Sequence, residues 1–150
     1  MLIMTIIACA ASRPDDTASA ASLTGNPCID DFADAADHGS TPLDPLTPVV
    51  VCTWPRSGDT AVDPALASIT VRFSHAMAPD GWSWVGQDGL RSPVTTGNPA
   101  WLDAHTQQLP VQLDPQASYG VWINSDAATA FRSEAGESAL PYALWFRTAP

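Results

Sequence analysis

Residues Pro55–Met77 read PRSGDTAVDPALASITVRFSHAM. A turn rich in Gly, Asp and Pro gives way to a segment in which Ile69, Val71 and Phe73 alternate with Thr70 and Arg72, and Met77 follows closely. Successive side chains on a strand point to opposite faces, so this spacing gives one apolar and one polar face. A short buried strand after a polar turn is how an antiparallel sandwich begins, not how a catalytic pocket is usually built.

The same period runs on either side of it. Val49–Trp54 is a β-branched run, and Trp82–Val85 offers another short strand before a loop from Gly86 to Pro99 punctuated by Gly and Pro. Leu109, Val111 and Leu113 share a face; Tyr119, Val121 and Ile123 share the next; Tyr142, Leu144 and Phe146 close the set. Pro110 has no N–H to give a ladder and predicts a sheet edge or bulge. Between Asp126 and Gly136 the alternation lapses, which leaves a short helix or an irregular turn. In Leu113–x–Pro115–x–x–x–Tyr119 a Tyr follows a Pro-containing corner. That spacing predicts a hydroxyl bent back onto nearby backbone, a tyrosine corner, because the ring belongs in the core while its O–H needs a partner.

Taken together these residues resemble a bacterial Ig-like domain of the S-layer-protein type. The resemblance rests on Pro55, Gly58, Val62 and Pro64 in the opening turn and on Phe73, Ser74 and Met77 in FSHAM. Leu113, Pro115 and Tyr119, then Phe146 and Thr148 in WFRT, complete it. It implies an all-β, two-sheet sandwich of about seven strands over residues 48–150 and a non-enzymatic role. It supplies no binding site, and fold alone does not fix function.

Residues 1–8 are largely apolar, and Ile6-Ile7-Ala8-Cys9 resembles the lipobox of bacterial lipoproteins. In that family a peptidase cuts before the Cys, which becomes acylated; Ala8 is the small residue the peptidase needs and Cys9 the thiol. Several acyl chains on Cys9 would anchor stably where one would not. Ala10, rather than Asp, resembles lipoproteins sent on to an outer membrane, so the expected location is the cell envelope, facing periplasm or exterior. Residues 9–47 read as an acidic flexible tether: between Ala10 and Thr47 there are seven Asp and one Arg, Arg13. Such a segment has too little apolar surface to offset its ordering entropy. Its root-mean-square span is about 35 Å. Alternatively, CIDDFADAAD forms a short amphipathic turn with Ile29 and Phe32 resting on the domain.

With Cys9 lipidated, Cys28 and Cys52 remain as an even pair in a chain bound for an oxidising compartment. Cys52 faces away from Val49 and Val51 and is placed to meet an incoming tether. A bridge and two unrelated thiols are both open at this stage.

The chain carries 16 acidic residues against six Arg and no Lys, a formal net charge of −10. Phosphate backbones and anionic lipid heads repel such a surface, which argues against nucleic acid as a partner. His38, His75 and His105 lack the spacings that gather ligands on one metal. There is no H-E-x-x-H, no G-x-S-x-G and no Gly-rich phosphate loop. Asp59/Asp63 and Asp80/Asp88 flank turns, as turn-forming Asp does. No catalytic residue, cofactor or resident metal is expected. A second resemblance, to bacterial copper-resistance carriers, rests on the F-S-x-x-M of Phe73–Met77; thioether and imidazole from Met77 and the histidines would favour copper.

Aromatics supply the concrete binding hypothesis. Trp122 alternates against Val121 and Ile123, and Trp145 against Leu144 and Phe146, which puts both indoles on the outer face of their sheet. Trp82 and Trp84 share a face with each other. The four form a possible ligand platform for an envelope protein or a glycan, since rigid exposed rings are what sugars and partner proteins stack upon.

Overall fold

Alternation of the kind seen at Ile69–Phe73 recurs in each of the longer strands of the chain, a computed structural model that describes residues 25–30 and 45–150. After a single helical turn, α1 (Pro27–Asp30), come β1 (Val50–Trp54), β2 (Ser68–Phe73), β3 (Trp84–Gly86), β4 (Val94–Thr95), β5 (Ala100–Trp101), β6 (Thr106–Gln112), β7 (Ser118–Ile123) and β8 (Tyr142–Arg147). They build two sheets: β1-β2-β6-β4, with β5 also on β6, and β3-β7-β8. Every strand pair is antiparallel. The architecture is therefore an all-β two-sheet sandwich of eight short strands, one more than expected because β4 and β5 are two-residue pieces. The readings on residues 1–24 and 31–44, those on Cys9, Phe32 and His38 and most of the tether among them, lie outside the described residues.

The core is the sum of the apolar faces. Ile69, Val71 and Phe73 from β2 and Leu109 and Val111 from β6 meet Tyr119, Val121, Ile123, Leu144 and Phe146 from β7 and β8. Phe131 sits among them at 0% exposure, against Phe73, Trp84 and Trp101 at centroid distances of 5.0, 5.7 and 6.1 Å. It comes from the Asp126–Gly136 segment, which is irregular and tied down by Asn124. The buried Asn124 amide donates to the Phe131 and Ala139 carbonyls, and its oxygen accepts the Phe131 N–H at 3.0 Å. Asn124 has φ 56°, a conformation Asn tolerates better than most residues.

Two local departures from strict alternation matter. A bulge between Val50 and Cys52 turns Val50 inward opposite Phe73 while Cys52 and Trp54 face outward with Arg72 and Thr70. Pro110, expected at an edge or a bulge, lies inside β6 between β2 and the β4–β5 side, opposite a gap in the neighbouring strands. The N–H of the next residue, Val111, points to β2 through the Ala67 carbonyl, so Pro110's nitrogen points the other way. There residues 96–99 loop out between β4 and β5, and no ladder bond is lost.

At the corner before β7, the Tyr119 hydroxyl accepts the Asp114 N–H at 2.8 Å. Thr148 stitches the same turn, donating to the Asp114 carbonyl at 2.6 Å and accepting the Ala117 N–H at 2.9 Å. Arg91 lies over the Tyr119 ring, 5.5 Å from its centroid, and pairs with Asp114 at 2.6 Å.

Candidate binding surfaces

The outer face of the three-stranded sheet carries the indoles that the alternation places there. Trp122 lies opposite Val85 and Ala143, and Trp145 opposite Gly120. Trp145 is 46% exposed and leans on the turn before β2: the position of a Cβ on Gly58 is 3.5 Å from its ring. That turn is bound to β8 through Gly58 N–H to the Trp145 carbonyl at 2.7 Å and Trp145 N–H to Ser57 Oγ at 3.2 Å. Trp122 is half-buried and borders an open depression of about 300 Å³ with Ser125, Asp126, Ala127 and Pro141.

A neighbouring turn shapes the surface around the two indoles. The 87–90 turn folds over Gly120, where any Cβ would come within 2.5 Å of Leu90 Cδ1. Gln87 holds the turn in place, donating to the carbonyls of Val121 and Leu144, each at 3.0 Å. Gly120 is next to Trp122 on the same face and directly opposite Trp145, so Leu90 and Gln87 stand beside both.

Trp84 is a correction to the platform. Its ring turns inward, edge-on to Phe131, and its indole N–H donates to the fully buried Gln107 Oε1 at 2.8 Å. Trp82 precedes the strand and is 43% exposed; Ser83 between the two tryptophans accepts the Ala130 N–H. Phe131, Trp101, Gln107 and Asn124 form an inner aromatic and amide cluster that the sequence reading missed. Asn124 at the end of the Tyr119–Ile123 alternation, a residue type that favours turns, was the one signal in the sequence.

The other sheet bears the disulfide. Cys28 and Cys52 are bridged, with Cα atoms 5.7 Å apart and both residues essentially fully buried. Trp54 packs against the pair. The segment that delivers Cys28 is further fixed by Asn26, whose amide donates to Thr70 Oγ1 at 2.7 Å and whose oxygen accepts the Cys28 N–H. Within residues 9–47 the described part, 25–30, is docked as a short helical turn through Asn26 and Cys28, while Ile29 stays 46% exposed.

The histidines are engaged separately. His75 lies 2.7 Å from Ser74 Oγ through Nδ1 and 2.9 Å from the Pro45 carbonyl through Nε2; the second contact makes Nε2 the protonated nitrogen. His105 Nδ1 is 3.2 Å from the Phe73 carbonyl. Met77 is sealed in the core at 3% exposure. Among the described residues no group of three or more His, Cys, Asp or Glu is placed to hold a metal ion. Asp59 and Asp63 each accept the N–H two residues on, at 2.9 and 2.8 Å, as turn formers do. No described helix is long and apolar enough to cross a membrane.

Among the described residues, two groups have displaced ionisation. Burial alone would raise the Asp103 pKa, but the His105 N–H, the Thr106 hydroxyl and the Arg72 charge together bring it below the usual carboxylate value. Burial pushes the Tyr142 phenol up, opposed in part by Thr53.

Among known proteins, no family model matches the chain and no curated protein shows significant similarity to it.

Proposed function

We propose that the chain is a non-enzymatic cell-envelope lipoprotein, anchored through acylated Cys9, that displays one Ig-like sandwich as an interaction module for an envelope protein or glycan. The observation that carries the reading is the half-buried Trp122 on β7 beside its shallow depression, with Trp145 exposed on the neighbouring strand. Both rings are carried by paired strands, so little ordering entropy is lost when a partner stacks on them. The net charge of −10 favours neutral or basic partners and keeps the displayed domain soluble. The lipobox-like Ile6-Ile7-Ala8-Cys9 supports the anchor, and the resemblance to the S-layer type supports the non-catalytic role.

The test is binding of the intact protein to immobilised envelope glycans and purified envelope proteins, with Trp122→Ala and Trp145→Ala alongside. The reading expects binding that falls about tenfold or more in at least the Trp122 variant, with an unchanged far-ultraviolet circular dichroism spectrum. Unchanged binding with lost stability would leave these rings a packing role only.

A further inference from the structure

The disulfide does more than fix a loop: the segment it anchors, through Gly25 and Asn26, forms one wall of a groove on the sheet opposite to the Trp122 face. The groove, about 540 Å³, runs between the docked segment and the outer face of β1, β2 and β6, and Trp54, Asp63, Ser68 and Gln108 line it with Asn26. Volumes of this order hold small organic ligands.

Register places these groups. Trp54 lies opposite Thr70 on β2, and Thr70 opposite Gln108 on β6. Trp54 and Gln108 are thus two strand spacings, about 10 Å, apart on one face. Thr70 between them is occupied, since its hydroxyl takes bonds from both Asn26 and Gln108 Nε2, the latter at 3.2 Å. Those bonds fix the Gln108 amide and leave its Oε1 as an acceptor. Asp63 likewise uses one oxygen on the Ala65 N–H and keeps the other. Ser68 adds a hydroxyl that either donates or accepts. Trp54 is half-buried and braced by the disulfide, so its orientation is set before anything binds.

This set selects a ligand class. An anion is repelled by Asp63 and by the overall charge. A purely apolar ligand would desolvate a carboxylate and an amide without replacing their hydrogen bonds. A quaternary cation is served by cages of several rings, and this groove has one. A neutral saccharide answers every group: its C–H face stacks on the indole while its hydroxyls donate to Gln108 Oε1 and Asp63. We propose that the Trp54 groove is a binding site for a neutral saccharide unit, and that it is complete only while Cys28 and Cys52 are bridged. The site is independent of the Trp122 surface.

The test uses the oxidised full chain and follows amide, indole and side-chain signals by nuclear magnetic resonance during titration with maltose, cellobiose and N,N′-diacetylchitobiose. At least one disaccharide is expected to move the Trp54 indole and Gln108 side-chain signals saturably. Gln108→Leu, a surface change that spares the core, should weaken it about tenfold. Trp54→Ala should weaken it at least as much, while Trp54→Phe, which keeps an aromatic face and guards against misfolding, should retain most of it. Reduction with a phosphine should abolish binding and reoxidation restore it; Trp122→Ala should leave it intact. Absence of a saturable shift with all three sugars would overturn the proposal, as would choline moving these signals instead. Shifts confined to Trp122 and Trp145 would overturn this site while supporting the other surface, and binding that survives reduction would refute the dependence on the disulfide.

Discussion

Single side chains close the polar accounts of this sandwich. Tyr119 fills core volume and accepts the Asp114 N–H with the same side chain. Tyr119→Phe keeps the ring and removes the acceptor, and should lower stability by about 1–2 kcal/mol in urea unfolding. An unchanged midpoint would mean that water replaces the hydroxyl at no cost. Asn124 has more at stake, because three buried backbone groups depend on it. Asn124→Ala should cost about 3 kcal/mol or more and loosen Phe131 from the aromatic cluster, visible as a change in near-ultraviolet circular dichroism. Asp103 and Tyr142 bracket the pH range. The Asp103 pKa is depressed by folding, so its contribution is present above the unfolded value and is lost as pH falls through the folded one. The Tyr142 pKa is raised, so its contribution is complete below the unfolded value of about 10 and disappears as pH climbs through the folded one. Asp103→Asn should flatten the acid limb of a stability–pH curve and Tyr142→Phe the alkaline limb. Limbs unchanged by these substitutions would assign the pH dependence to other groups.

At the scale of elements, the docked segment and the turn over β7 are held by means that alternation does not encode. Closing the Cys28–Cys52 loop, with its separation of 24 residues, contributes about 3 kcal/mol in the chain-entropy account. Cys28→Ser with Cys52→Ser should lose about that much and free Asn26 from Thr70, seen as faster amide exchange at residues 26–30; protection equal to the bridged protein would show that packing alone docks the segment. Gly120→Ala would drive a methyl into Leu90, so it should destabilise by about 1–3 kcal/mol. Leu90→Ala should recover part of that loss in a double-mutant cycle; strictly additive losses would contradict the contact.

Across the whole molecule, the sandwich was legible because β2, β6, β7 and β8 are long enough for a period of two to show. Ile69, Val121 and Leu144 could be placed inside without any structure. β4 and β5, at two residues each, are too short to carry a period, and Phe131 reaches the core from a segment with none. The Trp82/Trp84 alternation alone does not say which face is outward, and Trp84 turns inward through its contacts with Phe131 and Gln107. Pro110 followed its chemistry, since a gap in the neighbouring strands serves a missing N–H as well as an edge or bulge does. Of the candidate surfaces, the outward placement of Trp122 and Trp145 followed from their alternation. The Leu90 turn over Gly120, and the Trp54 groove, depend on tertiary contacts that no local pattern specifies.

The central claim is that an oxidised two-sheet domain is displayed from a lipid anchor at Cys9. Intact mass spectrometry of the protein extracted from membranes tests it most directly. The account predicts a chain beginning at Cys9, carrying acyl mass and weighing two hydrogens less than the dithiol form. A water-soluble chain that retains Met1, bears no lipid and has Cys28 and Cys52 free would contradict it.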